Sequence, residues 1–164
     1  AKYWKSKAER PPVNLVFAAW TAEEKGHWGS IYFADKLKCS PENTLLDINF
    51  DMLSRSAPED TTGLVVSVGM MKKSEDLLKI TLENNLLLEK PFLLDIWDTA
   101  TVGGSDYATF DRRGIPVLTY FSGYNNDYHT FRDISYYADY AKMRSILNLT
   151  KNCLNDFIKN INQK

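Results

Sequence analysis

Val13-Asn14-Leu15-Val16-Phe17-Ala18-Ala19-Trp20 runs directly into Thr21-Ala22-Glu23-Glu24-Lys25-Gly26-His27-Trp28-Gly29-Ser30. The first of these segments is almost unbroken apolar sequence, the pattern of a strand covered on both faces in a parallel sheet. Two adjacent carboxylates then fall just past the carboxyl end of that strand, where open α/β sheets place their ligands. Neighbouring residues at a strand end point in different directions. One carboxylate can therefore coordinate a metal while the other faces a water molecule. Taken alone, Glu-Glu-Lys-Gly also reads as a solvated turn that opens the next helix.

Working outward, the rest of the chain supplies strands and helices in alternation. Gly29-Ser30 opens a short helix through Tyr32, Phe33 and Leu37, which Cys39-Ser40-Pro41 ends. From Leu45 to Met52, Leu46, Ile48, Phe50 and Met52 alternate with Asp47, Asn49 and Asp51, a period-two strand signal. Leu64 to Val68 reads as another strand, and Ser74-Glu75-Asp76 caps a helix carrying Leu78, Leu82 and Leu86. Leu93 to Trp97 suggests a further short strand, followed by the turn Gly103-Gly104-Ser105-Asp106 and a brief helix with Tyr107 and Phe110. Gly114 to Phe121 gives the last strand, with Pro116 near its start, where no ladder donor is lost. A polar loop covers Ser122 to Asp133, and from Asp139 a long helix presents Tyr140, Met143, Leu147, Leu154, Phe157 and Ile161 as one stripe toward the sheet. Upstream, Ala1 to Arg10 reads as the end of a helix cut off by Pro11-Pro12. Strands alternating with helices indicate an α/β sandwich with a largely parallel sheet, and residues 1–164 read as a single domain.

Composition narrows the function classes. With 164 residues, 44% hydrophobic and 13% aromatic, the chain can bury a substantial core. Twenty basic residues against 21 acidic ones leave a formal charge of −1, with no basic block to track phosphates. Nucleic acid and anionic membrane surfaces are therefore not the expected partners. Cys39 and Cys153 lie far apart and form neither a CxxC pair nor a disulfide framework, so buried thiols are expected. No apolar stretch reaches the length of a membrane span, and Ala1-Lys2-Tyr3-Trp4-Lys5 has no signal-peptide core. The abrupt start leads us to expect a piece of a longer protein.

Three loops after three expected strands each carry a hard or borderline ligand: Glu24, Asp51, and His129 within Tyr128-His129-Thr130. Carboxylate oxygen and imidazole nitrogen suit Zn²⁺. Each residue also has a plainer reading, since an Asp at a strand end can cap a turn and a lone His can be a hydrogen-bonded structural residue. His27, in a helix-opening turn, reads as a surface residue.

The segment Phe17 to Ser30 closely resembles the double-Glu motif of the co-catalytic zinc aminopeptidase family, whose relatives include glutaminyl cyclase and glutamate carboxypeptidase. The resemblance continues through Asn49-Phe50-Asp51-Met52, Gly104-Ser105-Asp106-Tyr107 with Phe110, Gly114-Ile115-Pro116, and Tyr128-His129-Thr130 with Asp133. It implies a three-layer α/β/α sandwich with a mostly parallel mixed sheet, and peptide substrates with a free N-terminus. By position, the resemblance makes Glu23 the general base, Glu24 and His129 ligands of one zinc, and Asp51 a ligand of the other. It places Asp106 at the family's Ser-Asp motif, as an oxyanion or pocket residue, where histidine often follows and Tyr107 stands here. Tyr128 would donate to an oxyanion or pack beside the metal loop, and Asp133 would orient His129 or cap the next turn.

The family also uses an upstream His and a bridging Asp, and no His or Asp precedes the first expected strand. The resemblance thus implies the C-terminal portion of a catalytic domain, with one zinc or none held by this chain alone and little or no activity. It further implies an exposed sheet edge open to homodimerisation and a periplasmic or secreted location. Two other functions fit the same residues: a single-zinc acyltransferase resembling glutaminyl cyclase, with Asp51 serving the substrate or proton transfer, and a non-catalytic interaction domain.

Overall fold

The apolar and period-two runs pair into a four-stranded sheet of order β1-β4-β2-β3. The strands are β1 (Asp47–Asp51), β2 (Val65–Met70), β3 (Leu93–Asp98) and β4 (Val117–Phe121). The computed structural model describes residues 2–7, 10–72 and 74–161. β1 runs parallel to β4 and β2 parallel to β3, while β2 and β4 are antiparallel, so the sheet is mixed. Asp51 sits opposite Phe121 in the β1–β4 register, and the chain after each residue leaves the sheet at one rim.

The short helix α1 (Lys2–Lys5) buries no residue, and helices α2 (Trp28–Lys36), α3 (Glu75–Leu86), α4 (Tyr107–Asp111) and α5 (Tyr140–Ile161) cover both faces. Successive side chains of β4 point to opposite sides of the sheet. Leu118 and Tyr120 join Val66, Val68 and Met70 against Leu77 and Ile80 of α3 and Ile146, Leu149 and Cys153 of α5. Val117 points the other way, into a smaller core with Ala34 of α2 and Tyr107, Ala108 and Phe110 of α4. Each fully buried aliphatic or aromatic side chain here contributes about 1.5–3 kcal/mol relative to exposure. This is the expected three-layer sandwich.

Five expectations are corrected. Residues 13–20 form no strand: Val16 and Phe17 are 67% and 65% exposed, and the segment touches the core chiefly through Trp20, which packs on Phe33 and Phe110. A β-prone run becomes a strand only when a neighbour takes its backbone hydrogen bonds, and among the described residues none does. On α3 the buried face is Leu77, Ile80, Thr81, Asn84 and Asn85, whereas Leu82 and Leu86 face solvent. Ser74 contributes its carbonyl to Leu78 N at 3.0 Å rather than a side-chain cap.

On α5 the buried stripe is Lys142, Ile146, Leu149, Thr150, Cys153 and Ile158, with Tyr140 and Leu147 exposed. In both helices polar residues belong to the buried face because their groups are satisfied there. Thr150 Oγ1 donates to Ile146 O at 2.8 Å, and Asn84 Nδ2 to Ile80 O at 3.0 Å. A count of apolar residues alone rotates the helix by the wrong amount. Finally, the expected Ala1–Arg10 helix is observed over Lys2–Lys5, and its positions 1, 8 and 9 lie outside the described residues. Both cysteines are free, Cys153 buried and Cys39 half-buried.

Candidate active site

The double-Glu segment folds as a tight reversal between the extended run and α2. Ala22 takes a left-handed conformation (φ 55°), a single 3-10 turn spans Glu23–Lys25, and the Gly26 and His27 amides both donate to Glu23 O at 2.9 Å. His27 is again left-handed, with φ 61°. The turn closes on Gly29, whose amide donates to Thr21 O at 3.0 Å. A Cβ at Gly29 would stand 2.6 Å from that oxygen and 2.7 Å from Thr21 N, so only glycine lets α2 begin against Thr21. Met52, directly after Asp51, and His129 are left-handed as well, with φ 49° and 58°. Such residues cost about 1–2 kcal/mol each and persist where surrounding structure dictates them, which is typical of functional loops.

Glu24 and His129 meet although they are 105 positions apart: His129 Nε2 lies 2.6 Å from Glu24 Oε1, with both side chains open to solvent. Tyr128 stacks on the His129 ring at 3.8 Å between centroids, and Tyr124 meets Tyr128 edge-on at 4.8 Å. Partial desolvation, then the charge of Glu24, pushes the Tyr128 hydroxyl above its usual range, which keeps it a hydrogen-bond donor.

Burial raises the pKa of Glu23, and the charges of Glu24 and Asp51 add to the effect while His27 opposes it. Burial likewise raises Asp51, against a hydrogen bond with Ser105, and Asp106 and Glu24 add to the rise. Glu23, Glu24, Asp51 and Asp106 therefore share one electrostatic field at the rim, and their mutual repulsion is the kind a cation relieves.

Carboxylate and imidazole donors suit zinc, and the Glu24–His129 pair presents two of them to one point. Among the described residues, no group of three or more His, Cys, Asp or Glu forms a metal cage, so Asp51 does not complete one with that pair. The donor chemistry fits zinc, and in this chain the donor set is partial.

Other site residues are placed differently from expectation. Asp106 lies beneath the rim, not on a pocket wall: it is 5% exposed and accepts a hydrogen bond from Ser30 Oγ, which also lies 2.9 Å from Thr109 Oγ1. It ties α2 to α4. Asp133 does not reach His129. Its Oδ1 accepts from Arg55 Nη1 at 3.2 Å, because the guanidinium sits between Asp133 and Asp127. His27 is not a surface residue: its side chain is 13% exposed, with Nε2 3.5 Å from Glu23 Oε1. The left-handed Gly26 and His27 turn the chain back so that the two side chains meet, which residue spacing alone does not encode. Arg55, four positions after Asp51, carried no sequence signal either, since its partners are distant in sequence.

With this geometry in place, comparison with known proteins is informative. The chain matches peptidase family M28 over residues 1–154. It belongs to that family. The fold of this M28 chain is similar to that of BSAP, a zinc aminopeptidase from Bacillus subtilis, with a TM-score of 0.68, 18% identity, and coverage of 84% of this chain and 34% of that one. It is likewise similar to the Legionella pneumophila LapA aminopeptidase, with a TM-score of 0.67, 18% identity, and coverage of 85% of this chain and 38% of that one. A comparison with curated protein sequences returns no match. The M28 chain thus spans about a third of the length of the solved structures it resembles. Among its described residues no helix is long and apolar enough to cross a membrane.

Proposed function

We propose that this chain carries part of the catalytic centre of a zinc aminopeptidase that releases N-terminal residues from peptides, and that the complete protein performs the reaction. The reading rests on one observation above the others, the 2.6 Å contact between Glu24 and His129. Two solvent-facing, metal-compatible side chains from distant loops converge on one point at the sheet rim beside Glu23. In this reading Glu24 and His129 hold one zinc, and Asp51 serves a second whose other ligands lie outside this chain. Zinc, when bound, supplies Lewis acidity toward the scissile carbonyl and toward water.

The protein's own groups do the remaining work. Glu23, next to the ligand Glu24, takes a proton from the attacking water and returns it to the departing amine. Loss of water around Glu23 makes its carboxylate a better proton acceptor, and the His27 contact steadies its orientation. The Tyr128 ring fixes the plane of His129, and its hydroxyl can donate to the oxygen on which charge develops.

The test is hydrolysis of aminoacyl-nitroanilides by the complete protein, before and after chelation, together with metal counting. Zinc-restored activity that falls about 10²–10⁴-fold in Glu23→Gln supports the reading. One zinc per protein with cyclisation of N-terminal Gln would replace it with an acyltransferase. No zinc binding and no turnover would leave a non-catalytic domain.

A further inference from the structure

Arg55 joins the two loops that carry the expected ligands. It follows Asp51 by one short turn at the end of β1, yet its guanidinium reaches into the loop after β4. Nη2 donates to Asp127 Oδ2 at 2.9 Å and Nη1 to Asp133 Oδ1 at 3.2 Å. The two carboxylates bracket His129 in sequence, one on each side.

Asp127 is also held by Arg132 Nε at 2.9 Å, so its second oxygen is occupied as well. The guanidinium lies over the Tyr137 ring at 5.3 Å, which covers its face. Only 19% of the Arg55 side chain and 18% of that of Asp127 meet solvent. Both forks of the guanidinium and one of its faces are thus engaged, leaving little with which to bind a substrate carboxylate. One residue earlier, Ser54 O accepts from Asp139 N at 2.6 Å and ties the same segment to the start of α5.

From this geometry we infer that Arg55 is a positioning residue, a clamp that holds the His129 loop in register with the Asp51 loop. A residue with φ 58° at a loop tip needs its flanks fixed if its imidazole is to keep one direction. A planar fork between two carboxylates fixes both their positions and their directions, whereas a lysine ammonium can reach two oxygens without setting the angle between them. The Glu24–His129 contact depends on this, because no regular strand or helix holds His129. The inference rests on the reading of Asp51 and His129 as ligands only for its effect on metal. The effect on the imidazole stands without metal.

The experiment uses the complete protein labelled with ¹⁵N at histidine, with the His129 signals assigned from His129→Gln, first without metal and then titrated with zinc alone. Arg55→Met is expected to shift and broaden the His129 imidazole signals, to abolish their response to Glu24→Gln, and to weaken zinc binding about tenfold or more. Arg55→Lys should recover only part of this. Ile146→Val, a core change away from the clamp, should lower thermal stability and leave His129 unmoved, separating positioning from general loosening. Unchanged His129 signals and a zinc affinity within about twofold of the parent in Arg55→Met would overturn the inference. If Arg55→Met does not fold, Asp127→Ala combined with Asp133→Ala removes the same acceptors and carries the same expectations. A parent protein that takes up no zinc, but whose His129 still responds to Arg55→Met, would sink the metal reading and leave the clamp standing.

Discussion

His27 Nε2 lies 3.5 Å from Glu23 Oε1, four positions along the same reversal, with the imidazole almost withdrawn from solvent. An imidazole there restricts the rotamers of the proposed base. His27→Leu keeps apolar volume and drops the contact, worth about 1 kcal/mol. In the complete protein kcat should fall about fivefold with KM unchanged, as steady-state kinetics on an aminoacyl anilide would register. A rise in KM with kcat retained would instead place His27 in substrate binding.

Asp47 enters the sheet with Oδ2 buried and without a hydrogen-bond partner. Burial, and then the charge of Asp106, pushes its carboxyl up to about 7. The folded protein therefore keeps a proton that the unfolded chain releases near its ordinary value, so stability falls as pH rises through the window between the two. The slope attributable to this group is about 1.4 kcal/mol per pH unit. Urea midpoints measured from about pH 5 to pH 8 should decline in the parent. They should decline clearly less steeply in Asp47→Asn, the raised Glu23 and Asp51 carboxyls leaving part of the slope, and an equally steep decline there would assign the effect to other groups.

Lys142 is buried on α5, its Nζ donating to Ser56 Oγ at 2.7 Å and Val65 O at 2.8 Å and lying 3.4 Å from Asp60 Oδ2. Burial lowers the lysine pKa, and Asp60 counters it. Removing one partner of such a pair strands the other, at a cost of about 3–5 kcal/mol. Lys142→Met should lose roughly that much stability in denaturant titration. Lys142→Met with Asp60→Asn should lose less than the sum of the single changes, and simple additivity would show that the two are not coupled.

Gly29 supports the double-Glu turn by having no side chain. In Gly29→Ala the new methyl would meet Thr21 backbone atoms within 2.6–2.7 Å, so the turn must move. The expected result is a stability loss of about 2 kcal/mol or more together with a zinc affinity well below the parent's. Calorimetry and zinc titration on the complete protein check both, and a stability loss with unaltered zinc affinity would separate the turn from the metal.

Particular residues show how far the chain could be read without coordinates. The alternation around Ile48 and Phe50 and the run Val117 to Phe121 were legible because a strand's side-chain period is two, whatever it packs against. The faces of α3 and α5 were misread because Lys142, Thr150 and Asn84 are buried by virtue of partners that hydropathy does not encode. At the site, Glu23, Glu24, Asp51 and His129 were visible as residue types after strand-like runs. The contacts of Asp106 and Asp133 were not legible because their partners, Ser30 and Arg55, lie 76 and 78 positions away.

The sequence by itself determined the α/β class, the sheet's apolar strands and the presence of carboxylate and imidazole donors after strand-like runs, since periodicity and donor chemistry are local properties. Only the tertiary structure decided that Glu24 and His129 touch, that Arg55 spans the loops after β1 and β4, and that Val13 to Trp20 finds no strand partner among the described residues. Those outcomes depend on which distant groups share a rim and which backbone edges find a neighbour, and long-range pairing of that kind is set by packing rather than by any residue's own preference.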